Sequence, residues 1–141
     1  MLAIMRNSIK TRQNSCIIQG NQFCISVLSL LREQGLIYGF SFLNKPRKQK
    51  LGFWHGYPRI QIYFKFLDKN TFVLKDVKSF KNTRSNYYHL KNKINRPDSH
   101  HILLLSNYKG LSLTSFFDFQ NKRNYLNHGR FNGKLLAEFL L

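Results

Sequence analysis

Residues 100 to 135 hold the groups most suggestive of chemistry. His100 and His101 are adjacent; on an extended chain successive side chains face opposite ways, so the two cannot share one metal ion. "GRFNGKL" (129–135) has the flavour of a phosphate-binding loop. It has three residues between its glycines instead of four, and Leu135 stands where a Ser or Thr would hold magnesium. The 6 acidic residues are scattered, and no spacing pairs two carboxylates for acid–base work. The serines have no convincing His and acid order around them. Nothing here demands catalysis, and neither a cofactor nor a metal is expected.

A different kind of chemistry is offered at "ILLLSNYKGLSL" (102–113). Four large aliphatics end at Ser106, Asn107, Tyr108, Lys109 and Gly110, and apolar residues then resume. A-form RNA exposes a shallow minor groove of 2′-hydroxyls and base edges, and small polar side chains on a rigid turn can approach it closely. Ser106 and Asn107 supply donors and acceptors, Tyr108 a stacking ring, and Lys109 a partner for phosphate. Gly110 lets the backbone turn with positive φ and keeps bulk away. The same residues also suit a plain solvated turn between strands, and the loop alone does not separate the two.

The charge balance favours the polyanion. There are 23 Lys plus Arg against 6 Asp plus Glu, a formal net charge of +17. That much unmatched charge on a small folded body repels itself, and nucleic acid is the commonest partner that offsets it. With 43% hydrophobic residues the chain can build a core, so disorder throughout is excluded. Cys16 and Cys24 have neither zinc-ribbon nor disulfide-scaffold spacing and are expected to be reduced and buried. No apolar run approaches the length of a membrane span.

The elements that must position these groups can be read from periodicity. Residues 1 to about 12 form a short basic helix carrying Arg6 and Lys10. "SCIIQG" is a brief strand. A helix follows from Asn21 to Gln34, with Phe23, Val27, Leu30 and Leu31 inward, Asn21 as its cap and Gly35 as its stop. "LIYGFSFL" is a strand and "NKPRKQKLGFWHGYP" a loop. "RIQIYFKFL" and "TFVLKDVKSF" make a hairpin through Asp68-Lys69-Asn70, with Ile60, Ile62 and Phe64 buried. After a polar, basic stretch with a turn at Arg96-Pro97-Asp98 come strands "ILLL" and "KLLAEFLL". The expected fold is α+β in two small lobes: a helix–strand–helix–strands lobe over 1–80 and a mostly β, RNA-binding lobe over 81–141.

These residues also carry a resemblance. The 106–110 loop is similar to the Ser-Thr-Ser-x-Gly signature of the bacterial-type small-subunit ribosomal protein eight family. "MLAIMRN" resembles that family's opening helix, and "LLREQGLIYGF" its second. "RSNYYHL" resembles its Gly-Leu-Arg-Ile-Tyr segment, which sets Tyr88 on the family's tyrosine. "FNGKLLAEFL" resembles its closing strand. The resemblance implies a two-lobed structural protein, not an enzyme. Its partners would be the central domain of small-subunit ribosomal RNA and neighbouring ribosomal proteins, with no membrane and no small-molecule substrate. It further implies that Ser106, Asn107, Tyr108, Lys109 and Gly110 enter an irregular RNA helix with Tyr88 beside them. Departures fall at Asn107 and Tyr108, where the family has Thr and Ser. Thr83-Arg84 replaces Pro-Gly, and Lys134 replaces a glutamate, so Arg84 and Lys134 add cations to the RNA side. Insertions fall near 45–57 and 115–130.

The first 32 residues contain no acid, a composition that suits a mitochondrial import sequence or a basic helix lying on RNA. The resemblance sets Met1-Leu2 inside the family's first helix, leaving no room for a leader. Alanine occurs only at positions 3 and 137, and the skew to Phe, Asn, Lys, Ile and Leu suggests an AT-rich coding genome. Together these point to a protein of a mitochondrial ribosome, ahead of a plastid one. The rivals are a stand-alone basic RNA-processing or RNA-binding protein, and a membrane-surface or packaging protein.

Overall fold

The computed structural model describes residues 1–44, 47–48, 54–55, 58–68, 71–80, 101–107, 110–115 and 133–141. The chain divides into two compact units, Met1–Leu74 and Lys75–Leu141. The architecture is α+β.

The first unit begins with α1 (Leu2–Lys10), which turns Met5, Ser8 and Ile9 inward. Thr11 closes it, its N–H and hydroxyl both donating to the Asn7 carbonyl at 2.9 and 3.0 Å. Arg12 then takes a left-handed conformation (φ 55) that reverses the chain into β1 (Ser15–Gln19). Helix α2 (Gln22–Glu33) starts where Asn21 Oδ1 accepts the Cys24 N–H at 3.0 Å. It ends in paired bonds, Leu36 N–H to Leu31 O and Gly35 N–H to Arg32 O, both 2.9 Å. Gly35 supplies the left-handed residue (φ 69) that such a stop requires. Strand β2 (Ile37–Phe42) follows, then the two-residue ladder of β3 (Arg47–Lys48) with β4 (Trp54–His55), then β5 (Arg59–Phe64).

Strand β5 is the centre of a three-stranded antiparallel sheet, order β1-β5-β2. Its alternation buries Ile60, Ile62 and Phe64 on one face together with Cys16 and Ile18 of β1. Val27, Leu28 and Leu31 of α2, Met5 and Ile9 of α1, and Leu36, Ile37, Phe72 and Leu74 are the other buried hydrophobic residues described in this unit. The inward stripe of α2 differs from the expected one: Leu28 belongs to it, while Phe23 is exposed and Leu30 only half-buried. Phe23 sits in the first turn, before the helix comes over the sheet.

The expected hairpin after β5 is much shorter than its sequence suggests. Only β6 (Phe66–Asp68) and β7 (Thr71–Phe72) pair, and the chain then leaves as β8 (Asp76–Ser79). Strand β8 pairs with the C-terminal strand β11 (Gly133–Leu140), where Val77 stands opposite Phe139, and both are buried. Lys75 N–H to Leu140 O (2.8 Å) and Phe80 N–H to Leu136 O (3.0 Å) extend that ladder at both ends. Pairing with β11 buries Val77 at a sheet position that a longer hairpin with β5 would not supply. The two units part between Leu74 and Lys75, just before β8.

The second unit is a four-stranded antiparallel sheet, order β10-β9-β11-β8, built with β9 (His101–Asn107) and β10 (Gly110–Ser115). Leu103, Leu105 and Leu135 form a buried cluster against which Phe80 packs. Leu104, Ala137 and Phe139, the alternate residues, are buried as well. Both faces of β9 and β11 are therefore covered, which explains the unbroken aliphatic run in β9. The turn expected at Arg96-Pro97-Asp98 and the segment 115–130 beyond Ser115 lie outside the described residues.

Candidate nucleic-acid interface

The strand does not end with the aliphatic run. Strand β9 continues through Ser106 and Asn107, and β10 already begins at Gly110, with Asn107 paired to Gly110. The open loop read from the sequence is thus a tight hairpin whose connection is only Tyr108 and Lys109. Its shortness follows from Gly110, whose φ of 118 is closed to ordinary L-residues. A Cβ there would meet nothing within 4 Å, so the glycine is required by backbone conformation and not by crowding.

Strand β11 brings the third component. Lys134 stands opposite Ser106, and Gly133 stands opposite Asn107. Asn107 is therefore flanked by a glycine on each neighbouring strand, Gly110 on β10 and Gly133 on β11. On a pleated surface the directly opposite neighbours normally carry the side chains that shoulder a residue. Here neither directly opposite position carries a side chain beyond hydrogen. Ser106 is half-buried.

The structure thus gathers Ser106, Asn107, Gly110 and Lys134 at one end of the second sheet. Gly133, which sequence reasoning did not single out, completes the group, and only the strand register reveals it. Tyr108, Lys109, Arg84 and Tyr88 lie outside the described residues. Arg6 and Lys10 belong to the first unit, four apart on α1 and so on one side of it. Lys10 is exposed and Arg6 half-buried. Two like charges at that spacing repel by a few tenths of a kcal/mol (roughly 0.2–0.5) unless an anion lies between them.

The described acids of the second unit are already engaged. Glu138 is buried on β11, and its Oε1 lies against Nδ1 of His101, which is also nearly buried. Asp76 caps the start of β8 by accepting the Val77 N–H at 2.9 Å. Both cysteines are free, and burial pushes the Cys16 thiol up, a hydrogen bond from Ser8 opposing it only in part. Cys24 is half-buried, less enclosed than the sequence suggests. Among the described residues no cluster of His, Cys, Asp or Glu could hold a metal ion, and no helix is long and apolar enough to cross a membrane.

The sequence profile of the family described as ribosomal protein S8 matches residues 1–115, which span α1 through β10 and include the whole hairpin. The chain belongs to that family. It is therefore a structural protein of the small ribosomal subunit that binds the subunit's RNA, and it is not an enzyme. The matched segment stops at the last residue of β10, so β11, with Gly133 and Lys134, lies beyond it. No curated protein matches the chain.

Proposed function

We propose that this protein binds the central domain of small-subunit ribosomal RNA in a mitochondrial ribosome, and that the β9–β10 hairpin end is its sequence-reading contact. The observation that carries the reading is the flanking of Asn107 by two glycines, with Ser106 beside Lys134 on the same end of the sheet. A glycine-edged polar row suits the wide, shallow minor groove of RNA, where 2′-hydroxyls and base edges must be approached without side-chain obstruction. Tyr108 and Lys109 form the connection itself, one ring for stacking or a sugar contact and one cation for phosphate. Lys134 adds a second cation. Arg84 and Tyr88 join the same face in this reading. Arg6 and Lys10 make a separate, sequence-independent contact with the phosphate backbone.

The mitochondrial assignment rests on composition: two alanines in 141 residues, and a skew to Phe, Asn, Lys and Ile. Protein neighbours in the subunit would meet the inserted segments near 45–57 and 115–130.

The test is the affinity for a central-domain RNA fragment against an unrelated duplex of equal length. Ser106→Ala removes one hydrogen-bonding group and weakens the specific complex by about 0.5–1.5 kcal/mol, leaving the unrelated duplex unaffected. Lys10→Ala weakens both alike and flattens the salt dependence by about one unit of slope. Equal loss of both RNAs in Ser106→Ala would show that the hairpin does not read the RNA. Sedimentation in an organelle lysate tests the compartment: migration with the mitochondrial small subunit, lost when magnesium is removed, supports it. Migration as a free protein contradicts it.

A further inference from the structure

We infer that the outer face of the first unit's sheet is a second RNA surface, a stacking platform for unpaired bases of the same ribosomal RNA. The inference rests on the chain being an RNA-binding protein, but on a surface separate from the hairpin.

Among the described residues of β1 and β5, the buried side chains alternate with more exposed ones and so share one face of the sheet. Strand β5 alternates strictly, so Tyr63 faces away from buried Ile62 and Phe64. In β2 the register shifts between Ile37 and Gly39: Ile37 pairs with Phe64 and Gly39 with Tyr63, so Tyr38 and Gly39 together oppose Tyr63. The bulge thrusts Tyr38 out until it is 79% exposed, the most exposed of the large hydrophobic residues among those described. Two tyrosines are thereby brought to adjacent strands, about 4.8 Å apart in the sheet direction. The Tyr63 hydroxyl is held to Ser41 Oγ at 3.2 Å, which fixes its ring in one orientation. A Cβ on Gly39 would meet nothing within 4 Å, so no side chain fills the space beside it. On β1, Ile17 is 46% exposed, and at the far end of β5 Arg59 is exposed too.

Exposed aromatic rings on an open sheet ordinarily meet either a protein or nucleic-acid bases. The charges decide between them. Strands β1, β2 and β5 carry no carboxylate, the one charged residue among their described positions is Arg59, and the whole chain carries +17. A polyanion is the complementary occupant. A ring fixed by its hydroxyl, a second ring beside it, an aliphatic contact and a cation at the edge are the components of sequence-tolerant base stacking. Duplex RNA keeps its bases stacked inside and does not fit such a face, so the occupant is single-stranded.

The test uses the full chain and a short unstructured RNA of alternating A and C. Tyr38→Ala, at a position too exposed to endanger folding, weakens binding by roughly 5- to 100-fold, and Tyr38→Phe, which keeps the ring, restores it. Arg59→Gln lowers the slope of log affinity against log salt by about one, whereas Tyr38→Ala leaves that slope unchanged. Ser106→Ala leaves this affinity intact, so failure of the hairpin reading and failure of this one are distinguishable. Wild-type affinity of Tyr38→Ala for the short RNA overturns the inference. So does equal loss in Tyr38→Phe, and so does a Tyr38→Ala effect confined to release of a neighbouring protein from the isolated subunit, which would assign the face to that protein.

Discussion

Gly110 and Gly39 make a matched pair that isolates backbone conformation. Neither has any atom within 4 Å of where a Cβ would stand, so replacing either by alanine meets no clash. They differ in dihedral: Gly110 has φ 118, and Gly39 is not among the positive-φ residues. Gly110→Ala must therefore hold an L-residue in disfavoured backbone, at about 1–3 kcal/mol. Gly39→Ala has no such strain and restricts the unfolded chain, so it is neutral or stabilising by up to about 1 kcal/mol. For a unit of this size, each kcal/mol moves the midpoint by roughly 4–8 °C, so Gly110→Ala lowers Tm by several degrees at least. Thermal and urea unfolding, followed by far-UV circular dichroism, give both numbers. The mutant can relieve strain by opening the turn, which would displace Asn107 from between its two glycines. RNA affinity then falls by more than the stability loss accounts for. A D-alanine at the same position, which favours positive φ, keeps both. If Gly110→Ala is as stable as the wild type, or Gly39→Ala costs as much, the turn is ordinary and the reasoning fails.

Other outcomes follow from the same geometry. Gly35→Ala forces an L-residue into the left-handed stop of α2 and destabilises by about 1–2 kcal/mol, whereas Asn21→Ala loses the cap bond at the other end and costs about 1 kcal/mol; chemical denaturation measures both. Glu138→Ala leaves the nearly buried His101 ring without this contact and destabilises by about 1–3 kcal/mol, with hydrogen exchange accelerated first in β9 and β11. Alkylation of the native protein modifies Cys24 well before Cys16, because Cys16 is buried with its thiol pushed up; comparable rates at neutral pH would contradict that packing.

Much of the first unit was legible because its signals are local. Asn21 and Gly35 bracket α2 within one helix length, and the alternation of Ile60, Ile62 and Phe64 marks β5 whatever its partners. The polar break at the end of β9 was legible for the same reason, since a hydroxyl, an amide and a glycine interrupt an aliphatic run. Its depth was misjudged: strand pairing carries Ser106 and Asn107 inside β9, leaving a two-residue connection. What stayed hidden was non-local register. Nothing near Gly133 says that it will face Asn107, nothing in "DVKS" says that it will leave β7 for β11, and His101 and Glu138 lie far apart in the chain. Phe23 misled because helical spacing fixes which side a residue takes, not whether the sheet reaches that far. The bulge that exposes Tyr38 was invisible because it depends on two strands running out of step.

The most direct test of the central claim is localised cleavage of the RNA from the hairpin tip. A Lys109→Cys variant in a Cys24→Ser background, carrying tethered iron–EDTA, would be assembled into small subunits and activated to generate hydroxyl radicals. Strand breaks confined to the central domain of the small-subunit RNA, and weakened when Ser106 is also replaced by alanine, are the result this account predicts. Breaks elsewhere in the RNA, or none above background in assembled subunits, would contradict it.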